Sequence, residues 1–370
     1  MTDKTVEVEA AHLLPAMRVA TKVVNSVDSL PILANALLVA SGSALTITTT
    51  DLDCQFTQRI PAVCSGELAV TLSASKLASI ASAVPKGGSI KFKLTDDSRI
   101  AVSCGRSRWL LPTLARGDFP LFPADEAKGE LTIDGARLTK LFERTLPFVK
   151  APGSHRYYLC GPYWHANEGR LTIAATNGHQ IVRAIVQDVD WPDGAPPVIL
   201  GAKSAAVIQA LTSGGGEARV RWSAKRVCVT MGEATIDAKV IDGTYPNYAR
   251  SIAPVEGEPS VFSSEDMRSA IGRLKISADQ RDNAVAIDPT EEGLTLSMRS
   301  GDGSNEARED IGGLPGVMPS TAFNVRYLET IFAALAADEI HLFQAGPRDG
   351  ARLQAASADG VVATVMPMNR

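Results

Sequence analysis

Ala44-Leu45-Thr46-Ile47, Arg170-Leu171-Thr172-Ile173 and Gly293-Leu294-Thr295-Leu296 are three short words of one pattern. Each alternates a small or polar residue with a branched apolar one, the period of a strand with one buried face. Leu45, Leu171 and Leu294 lie 126 and 123 residues apart. A second word keeps the same interval. Ser98-Arg99-Ile100-Ala101-Val102 returns as Lys225-Arg226-Val227-Cys228-Val229 and as Ala351-Arg352-Leu353-Gln354-Ala355, with arginines 127 and 126 residues apart. Helical patterns recur with it. Leu13, Leu138 and Met267 each open an i, i+3/i+4 apolar series, and Ile80, Ile208 and Ile331 mark a second series in each copy.

A unit of about 120 residues, read as helix, strands, helix, strands, therefore occurs three times. The predicted fold class is α+β, with each unit packing two helices on antiparallel sheets. Pro and Gly cluster with charge from Phe119-Pro120-Leu121-Phe122-Pro123 to Gly129 and from Ala253-Pro254 to Pro259, which places the domains at 1–126, 127–253 and 254–370. Hairpin turns are expected at Gly87-Gly88, Gly214-Gly215-Gly216 and Gly301-Asp302-Gly303.

The composition is that of a globular chain: 370 residues, 45% hydrophobic and 21% charged, too long for a single core. No secretory signal or membrane span is evident, so a cytoplasmic protein is expected. Cys54, Cys64, Cys104, Cys160 and Cys228 form an odd set without a CxxC pair, and reduced, mostly buried thiols are expected. No cofactor or metal is implied. Asp51 and Asp53 could be read as metal carboxylates, but alternate positions without a His or Glu partner suit a turn. None of the five histidines lies in a catalytic frame, so no catalytic residue is nominated and no enzymatic activity is expected.

The net charge of -4 argues against tight binding of nucleic acid by the whole surface. The charge is segregated, however. The predicted helices 11–24, 74–86, 136–150, 201–213, 265–278 and 324–337 carry +2, +2, +3, +1, +1 and 0, so they hold +9 and the remainder -13. Helices lining one surface would make that surface basic, although Lys and Arg also collect on solvated helix faces simply as good helix formers. Repeats joined head to tail close into a ring when the rotation permits, and three can close by dimerising into six.

Further landmarks carry a resemblance. They are Leu30-Pro31-Ile32-Leu33, Thr50-Asp51-Leu52-Asp53, Gly105-Arg106-Ser107-Arg108 and Asp118-Phe119-Pro120. The middle of the chain adds Arg156-Tyr157-Tyr158-Leu159, Ala175-Thr176-Asn177-Gly178-His179, Ile241-Asp242-Gly243 and Pro246-Asn247-Tyr248. Phe323-Asn324-Val325, Tyr327 and Val365-Met366-Pro367-Met368 complete the set. In order and spacing the whole chain resembles the bacterial sliding clamp, the beta subunit of DNA polymerase III.

The resemblance implies three DNA-clamp-type domains closing as a head-to-tail homodimeric ring around duplex DNA, without sequence specificity and without catalysis. It implies a processivity factor that tethers DNA polymerase III and other polymerases, the clamp loader and mismatch-repair proteins through short linear motifs. The motif pocket would use Arg156, Leu159, Thr176, Gly178, His179, Ile181, Pro246, Arg250, Asn324, Tyr327, Met366, Pro367 and Met368. Tyr157, Tyr158 and Lys203 match DNA-contact positions. Lys76, Arg108, Trp109 and Leu111 match one side of the dimer interface, and Ile276, Glu306 and Glu309 the other.

The chain departs from the pattern in places. Asn25 to Ser29 contains Asp28 and no basic residue, Gly153-Ser154-His155 precedes Arg156, Asn177 and Gln180 replace the usual Asp and Arg, and the end is Asn369-Arg370. These differences favour weaker DNA contact, and an accessory clamp-like peptide scaffold with little role on DNA is the alternative. Read without the resemblance, Met366-Pro367-Met368 suits a packed terminal strand, and Tyr157-Tyr158 suits core and surface neighbours on one strand.

Overall fold

The computed structural model describes residues 4–24, 30–96, 98–276, 283–301, 304–357 and 360–368. Asp28, the Asp302-Gly303 pair and the Asn369-Arg370 end, all singled out above, lie outside the described residues, as does the end of the helix expected over 265–278.

The first third of the chain runs β1 (Thr5–Glu9), α1 (Ala10–Val23), β2 (Asn35–Ser41), β3 (Ala44–Thr50), β4 (Cys54–Pro61), β5 (Val63–Ser65), β6 (Leu68–Ser73), α2 (Ala74–Ala83), β7 (Ser89–Asp96), β8 (Arg99–Cys104) and β9 (Ser107–Pro112). The second runs β10 (Gly129–Asp134), α3 (Gly135–Thr145), β11 (Tyr163–Asn167), β12 (Arg170–Thr176), β13 (Gln180–Asp190), β14 (Val198–Ile199), α4 (Ala202–Thr212), β15 (Glu217–Trp222), β16 (Arg226–Met231) and β17 (Ala234–Lys239). The last runs β18 (Ser260–Ser263), α5 (Ser264–Leu274), β19 (Ala284–Thr290), β20 (Gly293–Arg299), β21 (Glu306–Gly312), β22 (Thr321–Asn324), α6 (Val325–Leu335), β23 (Glu339–Phe343), β24 (Ala351–Ala355) and β25 (Val361–Val365). The repeated words fall on β3, β12 and β20 and on β8, β16 and β24.

Among the described residues each helix starts directly after a strand except α4, which begins three residues past the end of β14, and four starts are fixed by a side chain. Ser73, Asp134, Ser263 and Asn324 accept from the backbone N–H of Lys76, Arg137, Asp266 and Arg326 at 3.5, 3.0, 3.2 and 3.0 Å. The helices are short, so their stability comes from an apolar face against a sheet rather than from propensity. Leu13, Leu138, Met267, Ile208 and Ile331 are fully buried and Ile80 nearly so.

Chain contacts divide the molecule into two compact units, the first holding residues 1–139, 192–196 and 203–240 and the second 140–191, 197–202 and 241–370. The first contains a five-stranded sheet, β5-β1-β7-β8-β9, and an eight-stranded one, β10-β15-β16-β17-β4-β3-β2-β6. The second contains an eight-stranded sheet, β14-β11-β12-β13-β25-β24-β23-β18, and a four-stranded one, β21-β20-β19-β22. Each large sheet is thus two four-stranded halves from different thirds of the chain. They meet at β17–β4 (Ala234 opposite Gln58) and at β13–β25 (Gln180 opposite Val365). This pairing explains why the division into units cuts across the expected 127–253 domain.

Three expectations change. Gly87-Gly88 and Gly214-Gly215-Gly216 join α2 to β7 and α4 to β15, so they reverse the chain after a helix and are not hairpin turns. Their positive φ angles, +77° at Gly87 and +72° and +97° at Gly215 and Gly216, serve a helix end equally well. Only Cys54 among the five free cysteines is buried, the others being half-buried. Tyr157 and Tyr158 lie on a 3₁₀ turn, Tyr157–Leu159, rather than on a strand.

Candidate functional site

The second unit carries a cavity of about 270 Å³ beside the β12–β13 hairpin. The hairpin turn is built by its own side chains. Asn177 Oδ1 accepts from His179 N (2.9 Å) and Gln180 N (3.1 Å), while the Thr176 hydroxyl donates to Gln180 O (2.7 Å) and accepts from Gly178 N (3.1 Å). Gly178 has φ +95°, a conformation that side chains resist, and a Cβ there would stand 3.5 Å from the Arg156 guanidinium. The Thr-Asn-Gly-His word is therefore a rigid turn that presents His179. Its ring stacks on Tyr327 of α6, centroids 6.1 Å apart.

The floor is apolar. Leu159 is buried with Ile199 and Tyr245, and Tyr158 and Tyr248 pack against this cluster. Gly243 eases the packing here, because a Cβ would stand tightly against Tyr158 and Tyr157, at 3.2 and 3.3 Å. Beyond β25 the chain is held by two backbone bonds, Met366 N to His179 O (2.8 Å) and Met368 N to Ala322 O (2.7 Å). Met366 and Met368 nonetheless remain 46% and 38% exposed, so the terminal segment is tethered but its thioether side chains are free to pack against something else.

Of the thirteen pocket residues expected, Arg156, Leu159, Thr176, Gly178, His179, Ile181, Pro246 and Met366 line the cavity. Arg250 is exposed on a 3₁₀ turn, Ala249–Ile252, and is not part of the lining. Asn324 caps α6, Tyr327 reaches the site only through His179, and Pro367 and Met368 lie along the tethered terminus. Tyr158, Gln180, Asn247, Tyr248, Ser251 and Thr364 complete the lining. Thr364 was legible, since it lies two residues before Met366 and shares its strand face. Tyr158, expected at DNA, lines this cavity, and Tyr157 is 54% exposed.

The neighbouring side chains fix a tautomer. His165 Nδ1 lies 2.7 Å from Ala166 O and Nε2 2.6 Å from the Tyr248 hydroxyl. Burial raises the Tyr248 pKa to about 12, so the phenol keeps its proton and donates to Nε2, leaving Nδ1 to donate to the carbonyl. His165 is neutral in this arrangement, and burial lowers its pKa.

Outside the cavity, Lys203 Nζ bonds to the Val23 carbonyl (2.6 Å) and pairs with Asp51, whose carboxylate is 6% exposed. Asp51 also accepts from the Asp53 and Cys54 N–H groups, which makes it a turn residue. The side chain expected at DNA thus has a structural engagement already. Exposed cations without an ion pair among the described residues remain on the helices: Arg18 and Lys22, Lys76, Lys140, Arg268 and Arg326.

At the expected dimer surfaces, Lys76 and Arg108 are exposed and Trp109 is half-buried. Leu111 is only 8% exposed and is turned into its own unit, because β9 alternates and its outward apolar residue is Leu110, 53% exposed. Ile276 is 87% exposed. Glu306 pairs with Arg299 (3.1 Å) and Glu309 with Arg273, whose guanidinium holds the Glu309 carboxyl below its usual range.

Comparison with known proteins identifies the family. Residues 5–123 match the family described as DNA polymerase III beta subunit, N-terminal domain, and residues 132–247 match its central domain. The beta sliding clamp of Caulobacter vibrioides is 30% identical over 98% of both chains, and that of Escherichia coli K12 is 26% identical over 98% of both. A solved clamp from Caulobacter crescentus superposes with a TM-score of 0.92 at 28% identity over 100% of both chains. One from Pseudomonas aeruginosa, bound to griselimycin, gives 0.90 at 26% identity over 100% of both. With this likeness spanning the full chain, the protein belongs to the beta sliding clamp family, the beta subunit of DNA polymerase III.

Proposed function

We propose that the protein is a processivity factor: three clamp domains per chain, at 1–126, 127–253 and 254–370, closing as a head-to-tail homodimer into a ring around duplex DNA. It catalyses nothing, and works by enclosure in the bacterial cytoplasm, at the nucleoid. The observation that carries this reading is the strand order. Within the chain, β17 pairs with β4 and β25 with β13, so the last strand of one third meets the preceding third's counterpart of β21. The corresponding strand of the first third, β9, and the corresponding strand of the last, β21, are both unpaired sheet edges. An open edge is a template for another strand, and joining β9 of one copy to β21 of a second repeats the same junction twice and leaves neither edge bare. Charge favours the match, since β9 is preceded by Arg106 and carries Arg108 while β21 carries Glu306, Glu309 and Asp310 against one cation, Arg308.

DNA contact rests on the exposed cations of the helices, with Tyr157 and Lys203 as further candidates. The cavity beside His179 is the docking pocket for short linear motifs of polymerases, the clamp loader and mismatch-repair proteins. It offers an apolar floor, a rigid turn and an adaptable Met366 wall.

Electron microscopy tests the reading: a ring of six lobes with a hole wide enough for a duplex, about 20 Å, is expected. Compact particles without a hole would end it. The engagement of Lys203 by Asp51 favours the second reading, a peptide-docking scaffold with little DNA role. On that reading, removing the exposed helix cations would leave retention on closed circular DNA unchanged.

A further inference from the structure

A larger cleft, about 650 Å³, adjoins the docking pocket in the second unit and shares Pro246, Asn247 and Tyr248 with it. Its chemistry is different. Arg183 on β13 and Arg352 on β24 both line it, with β25 between them. In register, Arg183 stands opposite Val362 and Arg352 opposite Thr364, so both guanidinium groups rise from one face of three adjacent strands. Arg183 Nε, Arg352 Nε and Thr364 Oγ1 are all shut off from solvent, and none has a hydrogen-bond partner among the described residues. Neither arginine forms an ion pair among those residues, and the one acid at the rim, Glu168, is exposed and pairs with neither. The Arg352 guanidinium instead lies over the Phe343 ring, 5.9 Å from its centroid.

Shielded N–H donors without acceptors are costly, and two like charges in one cleft add to the cost. The strain is visible at Arg352, whose pKa is lowered by burial and then by the charge of Arg183. An arrangement of this kind is relieved by one group, an oxyanion with several lone pairs, which guanidinium donors match in shape as well as charge. Because the cleft shares Pro246, Asn247 and Tyr248 with the docking pocket, the oxyanion is best supplied by whatever occupies that pocket.

We propose that the cleft is a charge-selective extension of the docking pocket, in which Arg183 and Arg352 receive a carboxylate side chain of the docked partner peptide. This rests on the reading of the neighbouring cavity as a peptide pocket. It assigns the site a preference that the apolar floor cannot express: partners with an Asp or Glu beside their apolar anchor bind more tightly than partners without one.

The test uses three fluorescein-labelled peptides sharing a Leu-Phe anchor, flanked by glutamines, by three glutamates before the anchor, or by three glutamates after it. Titrated with the full-length protein, one of the two acidic peptides should bind about tenfold more tightly than the glutamine peptide. That advantage should vanish near 1 M salt, where the Debye length is about 3 Å. The Arg183→Gln, Arg352→Gln double variant should keep its affinity for the glutamine peptide and lose the preference. Equal binding of all three peptides by the unaltered protein overturns the proposal while leaving the docking pocket intact, as does a preference that survives in the double variant. Failure of every peptide to bind removes the pocket reading and this proposal with it.

Discussion

Met366 N donates to His179 O at 2.8 Å, which ties the end of the chain to the hairpin turn that presents the His179 ring. Two walls of the docking pocket, remote in sequence, are thereby set by one backbone bond and by the β13–β25 ladder that ends at Gln180 and Val365.

Deleting residues 366–370 should therefore abolish peptide docking without touching the ladder. Fluorescence anisotropy with an apolar-anchor peptide should lose its signal, while sedimentation equilibrium still reports the dimer. Undiminished affinity after the deletion would mean that the pocket lies elsewhere.

The turn itself makes a second prediction. Gly178→Ala forces a Cβ into φ +95° and should cost roughly 1 kcal/mol, with little steric clash because the nearest atom is 3.5 Å away. Asn177→Ala removes the side-chain acceptor of two backbone N–H groups, those of His179 and Gln180, and should cost a similar amount, about 1 kcal/mol. Both should weaken peptide binding more than thermal stability, since the turn is local. A fall in melting temperature with normal binding would show that the turn matters to the fold alone.

Much of this was legible in the sequence because periodicity survives divergence. Leu45, Leu171 and Leu294 keep their strand phase, and the buried helix positions keep theirs, so the six helices among the described residues could be read directly. The junctions β17–β4 and β13–β25 could not. They are made by backbone groups of strands about 180 residues apart, and backbone pairing leaves no signature in side chains. Leu110 and Leu111 show the other limit, as two adjacent leucines give no alternation from which to choose the outward one. Tyr157 and Tyr158 suited strand neighbours but lie on a 3₁₀ turn, which has neither strand nor helix phase.

His165 predicts a pH dependence. Its folded-state pKa lies below the ordinary 6.5, through burial first. Below pH 6.5 the unfolded chain takes up a proton that the folded one refuses, so stability falls as pH drops from that value and levels off once the folded form also protonates. The contribution is fully present above pH 6.5. Thermal melting should therefore drop between pH 7.5 and pH 5.5, and His165→Gln should flatten that part of the profile. An unchanged profile in the variant would place the dependence on another group.

Lys203 separates the structural from the DNA-contact role. Removing it leaves the Asp51 carboxylate, 6% exposed, without its cation. Lys203→Met should destabilise the protein by about 1–3 kcal/mol. The salt dependence of DNA retention should change by less than the loss of one full phosphate contact, whereas Arg18→Ala with Lys22→Ala should lower that slope by nearly two. Normal stability with a full unit lost from the slope would return Lys203 to the DNA.

Leu110 gives the sharpest test of closure. It is the outward apolar residue of the free edge β9, and the edge proposed to receive it carries Glu306, Glu309 and Asp310. Leu110→Asp removes the apolar contact and places a carboxylate opposite carboxylates, two effects of the same sign. Sedimentation equilibrium should show a monomer at concentrations where the unaltered protein is dimeric. Thermal stability should change by no more than about 0.5 kcal/mol beyond any dimer contribution, because the side chain is 53% exposed on its own unit. Leu111→Ala should behave oppositely, losing about 2–5 kcal/mol of stability from the core. A Leu110→Asp protein that remains dimeric would rule out β9 as the joining edge, and with it the argument that the ring repeats the internal junctions.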